Sequence, residues 1–351
     1  MLVLGLESSC DETAAAVVDA DGRVLEDVVH SQANLHAAHG GVVPELASRD
    51  HLRNIGPVVR SALACASLGI GDIDGIAVTN RPGLVGALLV GVQAAKGIAW
   101  AAGKPMVGVD HLMGHLLSAF LRRDADDVRI PCYPFVSLIA SGGHTAIYRV
   151  DEPRVGAITE LGATRDDAAG EAFDKVGKLL GLGYPGGPKV DRLAVQGDAS
   201  RVRLSLPMAS HRSFEMSFSG IKTQVARIVA GHREADGRAW VPDMCAAFQS
   251  AVTGVLSRKL IDAAEREAVR DVVLGGGVTA NGELRQRVLE LGAARGLRVF
   301  LPSPRDCTDN AAMIAYAGAL RLGRGERDGW DLAASSRTAL ERRTRKGRGR
   351  R

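Results

Sequence analysis

Aromatic residues are scarce in this chain: three Trp, four Tyr and seven Phe make up 4% of its 351 residues. So thin a supply argues against an extensive stacking surface for single-stranded nucleic acid. Paired cysteines are also missing. The five that occur (Cys10, Cys65, Cys132, Cys245, Cys307) are odd in number and form no Cys-x-x-Cys, which argues against a disulfide framework and for reduced thiols in the cytoplasm. No basic region precedes the short apolar start Leu2–Leu6, so no secretory signal is expected. The apolar run Leu84–Ala102 is interrupted by Gln93 and Lys96 and is rich in glycine, so it reads as a buried helix rather than a membrane span. A soluble, cytoplasmic protein without membrane contact is expected.

Conventional hydrolytic equipment is absent as well. There is no Gly-x-Ser-x-Gly elbow, and neither Cys10 nor Cys307 has an obvious partner base. Positive charge is concentrated rather than general. Arg342–Arg351 holds seven of the 44 basic residues and no acid, and without it 37 basic residues face 40 acidic ones. The body is mildly acidic, and the tail is either a solvated end or a patch attracted to RNA phosphates.

What is present is an α/β pattern, long enough for two domains. Strands are expected at Leu2–Leu6, Thr13–Val18 and Arg23–His30, with a polar turn at Glu7–Glu12 and an Asp-Gly turn at Asp21-Gly22. The same grammar returns at Phe135–Ala140, Thr145–Val150 and Arg154–Glu160, which suggests two related halves. Helices are expected at residues 45–64, 84–102, 165–182, 243–268, 281–295 and 309–322. Strands are expected at Gly75–Asn80, Met106–Asp110, Asp271–Leu274 and Arg298–Leu301. The pattern predicts two lobes around a cleft, with ligands beyond the carboxyl ends of strands. We place an N-terminal lobe with the metal-binding helix at residues 1–130, a C-terminal lobe with the nucleotide-binding turns at 131–325, and a disordered basic tail at 326–351.

His111 and His115 are spaced i, i+4, so on a helix they project from one face. Asp309 can complete a two-histidine, one-carboxylate metal site with open positions, as a catalytic metal requires. A chance pair on a surface helix would look the same. A zinc protease carries Glu after its first histidine, and here that position is Leu112. Three polar or glycine-rich turns follow apolar strands: Glu7–Thr13, Ser141-Gly142-Gly143-His144-Thr145, and Gly275–Asn281. Each alone is compatible with a plain tight turn; together they suit the phosphates of a nucleotide, the third by opening a helix. Tyr184–Asp191 is rich in Pro and Gly and reads as a rigid linker or turn. Asp174 and Asp191 flank it and can accept hydrogen bonds from a ribose; a solvated acidic face is the plainer reading of the carboxylates from Asp166 to Asp174.

Taken together, Glu7-Ser8-Ser9-Cys10-Asp11-Glu12-Thr13, Gly41–Arg49, His111-x-x-x-His115, Ser141–Thr145, Gly170–Lys175, Tyr184–Pro188, Ser217–Thr223, the triple glycine through Asn281 and Cys307-Thr308-Asp309-Asn310 resemble the TsaD/Kae/Qri family. These are tRNA N6-adenosine threonylcarbamoyltransferases, once misnamed O-sialoglycoprotein endopeptidases. The resemblance runs from about residue 2 to residue 322. It implies a duplicated actin-like ATPase (ASKHA, RNase H-like) fold. It also implies transfer of threonylcarbamoyl from threonylcarbamoyl-AMP to N6 of the adenosine 3′ of the anticodon, in tRNAs reading ANN codons.

By the same resemblance, His111, His115 and Asp309 hold one divalent metal, Fe(2+) or alternatively Zn(2+). Ile139, Ala140, Ser141, Gly142 and Gly143 match the family's substrate-binding turn. Asp174, Gly187, Asp191 and Asn281 match its remaining nucleotide contacts, for threonylcarbamoyl-AMP or for ATP or ADP. The implied partners are tRNA, a paralogous protein TsaB, an ATPase TsaE and a separate enzyme that makes the adenylate. No covalent nucleophile is implied. Two positions depart from the pattern: Met113 stands where relatives often have Glu, and Arg81 where Gly is usual. The other readings are an ATPase or sugar-kinase-like enzyme of the same fold, and a non-catalytic scaffold of a modification complex.

Overall fold

The computed structural model describes residues 1–123, 129–206, 208, 213–231 and 237–340. The basic run Arg342–Arg351 lies outside the described residues. The chain divides into two compact units.

Unit 1 comprises Met1–Ile130, Pro153–Val155 and Arg305–Leu340. Its strands β1 (Leu2–Glu7), β2 (Glu12–Asp19), β3 (Val24–Ser31), β4 (Gly75–Arg81) and β5 (Met106–Asp110) lie in the order β3-β2-β1-β4-β5. The first three pair antiparallel; β4 and β5 run parallel to β1. Strands covered on both faces read as continuous apolar runs, and β1 shows how the two faces differ. Leu4 and Leu6 join a core with Ile55 and Val59 of the helix Pro44–Cys65 and Val92 of the helix Val85–Ala102. Gly5, of opposite parity, meets the start of the helix Ala312–Gly323, where a Cβ would lie 2.7 Å from the Ala315 nitrogen. Each fully buried Leu contributes about 1.5–3 kcal/mol.

The helix Val85–Ala102 is long and apolar enough to cross a membrane by length and composition alone. Its Ala87, Leu88, Gly91, Val92, Ala95 and Ala99 are buried within unit 1, while Val85, Leu89 and Trp100 are exposed.

Unit 2 comprises Pro131–Glu152 and Gly156–Pro304. Its strands β6 (Phe135–Ala140), β7 (Thr145–Val150), β8 (Ile158–Ala163), β9 (Asp271–Gly275) and β10 (Arg298–Phe300) lie in the order β8-β7-β6-β9-β10. The order and directions repeat those of unit 1, strand for strand. The core joins Val136 and Leu138 of β6, Val272 and Leu274 of β9, and Phe248, Val252 and Leu256 of the helix Val241–Arg266.

Several expectations are corrected. The third strand of the second meander is Ile158–Ala163, not Arg154–Glu160, because Val155–Ala157 forms a 3-10 turn. The segment Tyr184–Asp191 is a turn only in its first half. The helix Gly187–Ala194 starts inside it with Pro188 in the first turn, where a missing N–H is harmless. The helix Ser219–Gly231 had no counterpart among the expected elements. The stretch 305–325 groups with unit 1 rather than with 131–304, because the helix Ala312–Gly323 packs on β1, β2, β4 and β5. Residues 326–340 are pinned there too: Asp328 accepts from the Gly108 amide at 2.7 Å, and Leu340 is buried. An unstructured tail from 326 is therefore overturned for those residues.

Candidate active site

In unit 1, β5 ends in Asp110, whose Oδ1 accepts from the Leu112 amide at 3.0 Å and caps the helix His111–Leu117. Such a cap contributes about 1 kcal/mol. Asp110 Oδ2 accepts from Thr338 Oγ1 at 2.6 Å and from the Ala339 amide at 2.7 Å. All seven helix residues are buried, which removes the surface-helix reading of the pair. Gly114 lets the helix Ala312–Gly323 come close, since a Cβ there would meet Met313 Cγ at 2.9 Å. This approach, with that of Gly5, brings the loop before Ala312 against both histidines.

Asp309 Oδ1 then lies 3.5 Å from His111 Nε2 and 3.2 Å from His115 Nε2. One donor atom from each of the three residues falls within 4.8 Å of the others. His111 Nδ1 is 2.9 Å from Glu7 Oε2, which also accepts from Thr79 Oγ1 at 2.6 Å. Burial opposes a charge on His111, yet the carboxylates of Asp309 and Glu7 outweigh it and raise its pKa well above the usual. Burial alone would raise Asp309, but His111 and His115 hold its carboxyl well below the ordinary range. Asp309 keeps 21% of its side chain exposed while His115 is fully buried, so the site opens on the Asp309 side.

These residues suit a metal ion. When Glu7 Oε2 accepts a hydrogen bond from His111 Nδ1–H, Nε2 of a neutral ring is left as a lone pair facing a carboxylate oxygen. Two lone pairs so placed repel unless a proton or a cation lies between them. A carboxylate behind a ligating imidazole is the usual support for a metal-bound histidine. His115 lacks that support, as its buried Nδ1 has no hydrogen-bond partner among the described residues. Two imidazoles and one carboxylate suit iron or zinc about equally.

In unit 2, the turn after β6 closes when the His144 carbonyl accepts from the Ser141 amide at 2.8 Å. Gly142 and Gly143 face open space. The helix Ala169–Leu179 starts against this turn: the Gly170 amide donates to the Ser141 carbonyl at 3.1 Å, and a Cβ on Gly170 would lie 2.6 Å from that oxygen. Gly276, at φ +88°, presses on the end of β6, where a Cβ would meet the Ala140 carbonyl at 2.6 Å. One turn along the first helix, Asp174 Oδ1 accepts from the Gly186 amide at 2.7 Å. Gly187 opens the next helix and faces open space. Asp191, on that helix, accepts from Asn281 Nδ2 at 2.9 Å.

The structure thus gathers His111, His115 and Asp309, and links Asp191 to Asn281 directly. Asp174 bonds Gly186, the neighbour of Gly187. Ile139 and Ala140 have fully buried side chains on β6, so only their backbone can face a ligand. Sequence reasoning missed Glu7 as the partner of His111 and Gln249 as a partner of Asn281. Glu7 lies in a turn that was singled out; Gln249 sits mid-helix with no local signal. It also missed Asp166, which accepts from Ser217 Oγ, Ser219 Oγ and the amides of Phe218 and Ser219, and so caps the helix Ser219–Gly231. The departure at Arg81 falls where β4 slips register against β5. Arg81 and Met113 line one cavity of about 390 Å³ in unit 1.

Comparison with known proteins bears on this geometry. A profile of the family "TsaD: tRNA N6-adenosine threonylcarbamoyltransferase" matches residues 23–316. A protein of that name from Sorangium cellulosum (strain So ce56) is 63% identical over 355 residues, covering 99% of each chain. Another from Geobacter sp. (strain M21) is 51% identical over 335 residues, covering 95% of each. Among solved structures, full-length HypF in the phosphate- and nucleotide-bound form aligns with a TM-score of 0.58 at 13% identity, over 94% of this chain and 47% of that one. The Acidaminococcus fermentans (R)-2-hydroxyglutaryl-CoA dehydratase component A aligns with a TM-score of 0.54 at 15% identity, over 92% and 99%. At such identities the structures speak for the fold alone, an actin-like ATPase fold.

Proposed function

The chain belongs to the TsaD family of tRNA N6-adenosine threonylcarbamoyltransferases, and on that premise we propose how its residues serve the reaction. It is a transferase of tRNA modification: the threonylcarbamoyl group passes from threonylcarbamoyl-AMP to N6 of the adenosine 3′ of the anticodon in tRNAs reading ANN codons. The bond from N6 to the carbamoyl carbon forms, the bond from that carbon to the phosphate oxygen breaks, AMP leaves, and N6 loses a proton. An aromatic amine is a weak nucleophile but the leaving group is good. The protein has chiefly to orient the reactants and to stabilise charge on the carbonyl oxygen and the departing phosphate.

The observation that carries the site reading is the convergence of His111 Nε2, His115 Nε2 and Asp309 Oδ1 in unit 1. These three residues hold the metal, Fe(2+) before Zn(2+), which when bound would supply Lewis-acid polarisation. Glu7 keeps the proton of His111 on Nδ1. In unit 2, the open turn Ser141-Gly142-Gly143, with backbone from Ile139 and Ala140, and the residues Asp174, Gly187, Asp191 and Asn281 hold the adenylate. ATP or ADP would use the same turns. The fold's kinases and ATPases remain the runner-up reading, which the transferase names of the relatives do not favour.

Partners belong to the same proposal: tRNA, the paralogue TsaB, the ATPase TsaE and an adenylate-forming enzyme, in the cytoplasm. The exposed Leu52, Val85, Leu89 and Trp100 on two neighbouring helices support a protein partner such as TsaB. The test is transfer in vitro to tRNA with mass spectrometry of its nucleosides. His111→Ala is expected to lose metal and modification together while the fold survives. Full modification by a folded, metal-free His111→Ala protein overturns the metal assignment, and an unchanged nucleoside profile after depletion of the protein overturns the transferase reading.

A further inference from the structure

Arg123 belongs to none of the motifs above, yet it holds two carboxylates together inside unit 1. Its Nη2 donates to Asp27 Oδ2 at 2.8 Å and to Asp306 Oδ1 at 2.6 Å, and its Nε donates to Asp306 Oδ1 at 2.8 Å. The Asp27 side chain is fully buried, that of Asp306 is 5% exposed and that of Arg123 16%. Arg305 adds a tie by donating to the Asp27 carbonyl. The network fastens β3 to the short helix Pro304–Cys307, which runs directly into Asp309.

Downstream the same loop is fixed by Asn310. Its Oδ1 accepts from the Met313 amide at 3.0 Å and its Nδ2 donates to the Thr308 carbonyl at 2.8 Å. Asp309 lies three positions beyond Asp306, a span of at most about 10 Å, so a shift of one reaches the other with little slack. A buried ion network seldom adds net stability over apolar side chains of similar shape, and here it leaves Asp27 Oδ1 without a hydrogen-bond partner among the described residues. Its geometry, set on the loop that carries a ligand, is the better account of its presence. Ligand geometry has to hold to within about 0.5 Å.

We propose that Arg123 is a positioning residue for Asp309: by clasping Asp27 to Asp306 it fixes the backbone from which the Asp309 carboxylate faces His111 and His115. This rests on the metal reading of that triad. Arg123→Lys keeps the charge but loses the planar fork that joins two carboxylates. The test is titration of the purified full-length protein with Co(2+) against a competing chelator, following the visible absorption of the bound ion, with thermal melting as the check on folding. Arg123→Lys is expected to bind Co(2+) about tenfold or more weakly, as loss of a ligand's support does, with altered absorption bands and a cooperative melt. Equal affinity and an unchanged spectrum overturn the proposal. Failure of the unsubstituted protein to bind Co(2+) overturns the metal reading instead. If Arg123→Lys does not fold, Asp27→Asn/Arg123→Met/Asp306→Asn removes the three charges together; the same weakening is expected, and unchanged affinity is again decisive against it.

Discussion

Glu7 Oε2 and His111 Nδ1 stand 2.9 Å apart in a buried contact, on the ring nitrogen that Asp309 does not face. The sequence separation is 104 residues, and only the parallel pairing of β1, β4 and β5 brings the two together.

Glu7→Gln therefore tests the support of the first ligand. Glu7 accepts at both oxygens, from the Ser9 amide on one and from Thr79 and His111 on the other. A carboxamide must turn a donor toward one of these donors. Metal affinity is expected to fall about 10–100-fold, with a stability loss of about 1–3 kcal/mol for the unsatisfied group. Chelator competition and thermal melting measure the two; a fall in melting temperature with unchanged metal affinity would mean that Glu7 serves the fold alone.

Gly5→Ala tests whether the metal loop depends on close packing far from the ligands. The new Cβ would lie 2.7 Å from the Ala315 backbone nitrogen, in a contact that no side-chain movement can relieve. The helix Ala312–Gly323 has to move off β1, at a cost of about 1–3 kcal/mol. Asp309 precedes that helix by three residues, so metal affinity should fall as well. A stability loss with no change in metal binding would show that the loop is held independently of the helix.

Much of this was legible in the sequence, and the rest was not, for identifiable reasons. Met106–Asp110, Phe135–Ala140 and Thr145–Val150 match the expected strands end to end, because apolar runs bounded by polar turns leave little choice of boundary. The convergence of His111 and His115 could be read because i, i+4 spacing encodes a shared helix face. Arg154–Glu160 was misplaced because the small and apolar run Val155-Gly156-Ala157 fits a 3-10 turn as well as a strand start. The helix Ser219–Gly231 was missed because its cap, Asp166, is 53 residues away from Ser219, and local patterns register only caps adjacent in sequence. Glu7 and Gln249 escaped for the same reason: their roles lie in contacts across the fold.

Asp166 gives a pH-dependent prediction. Burial acts to raise its pKa, but the hydroxyls of Ser217 and Ser219 and the amides of Phe218 and Ser219 outweigh it, and the carboxyl lies below its ordinary 3.8. A depressed folded value means that the cap's contribution is fully present above the unfolded pKa and is lost as pH falls through the folded one. Hydrogen exchange at Phe218 and Ser219, corrected for intrinsic rates, should be protected at neutral pH and lose protection in acid below about pH 4. Asp166→Ala should lose it at every pH and cost about 0.5–2 kcal/mol. Protection that persists unchanged in Asp166→Ala would remove Asp166 as the cap.

Asn281 has both of its Nδ2 hydrogens committed, to Asp191 Oδ1 at 2.9 Å and to Gln249 Oε1 at 2.8 Å, and its Oδ1 accepts from the Leu284 amide at 3.0 Å. Its side chain has no donor left for a nucleotide, so under the proposed adenylate reading it acts through the placement of Asp191 and of the helix Gly282–Ala294 that it caps. Gln249 fixes which way that amide points. Gln249→Leu removes one acceptor, leaves an amide hydrogen buried without a partner, and leaves the Asn281 side chain held by Asp191 and the Leu284 amide. Affinity for AMP, read by calorimetric titration, is expected to fall about tenfold, equivalent to about 1.4 kcal/mol, with Gln249 acting through Asn281. Asn281→Asp should be worse, because it sets a second carboxylate against Asp191 and repels it. A Gln249→Leu protein that melts earlier but binds AMP as before would place the Gln249–Asn281 bond in the core's stability and not in the nucleotide turn.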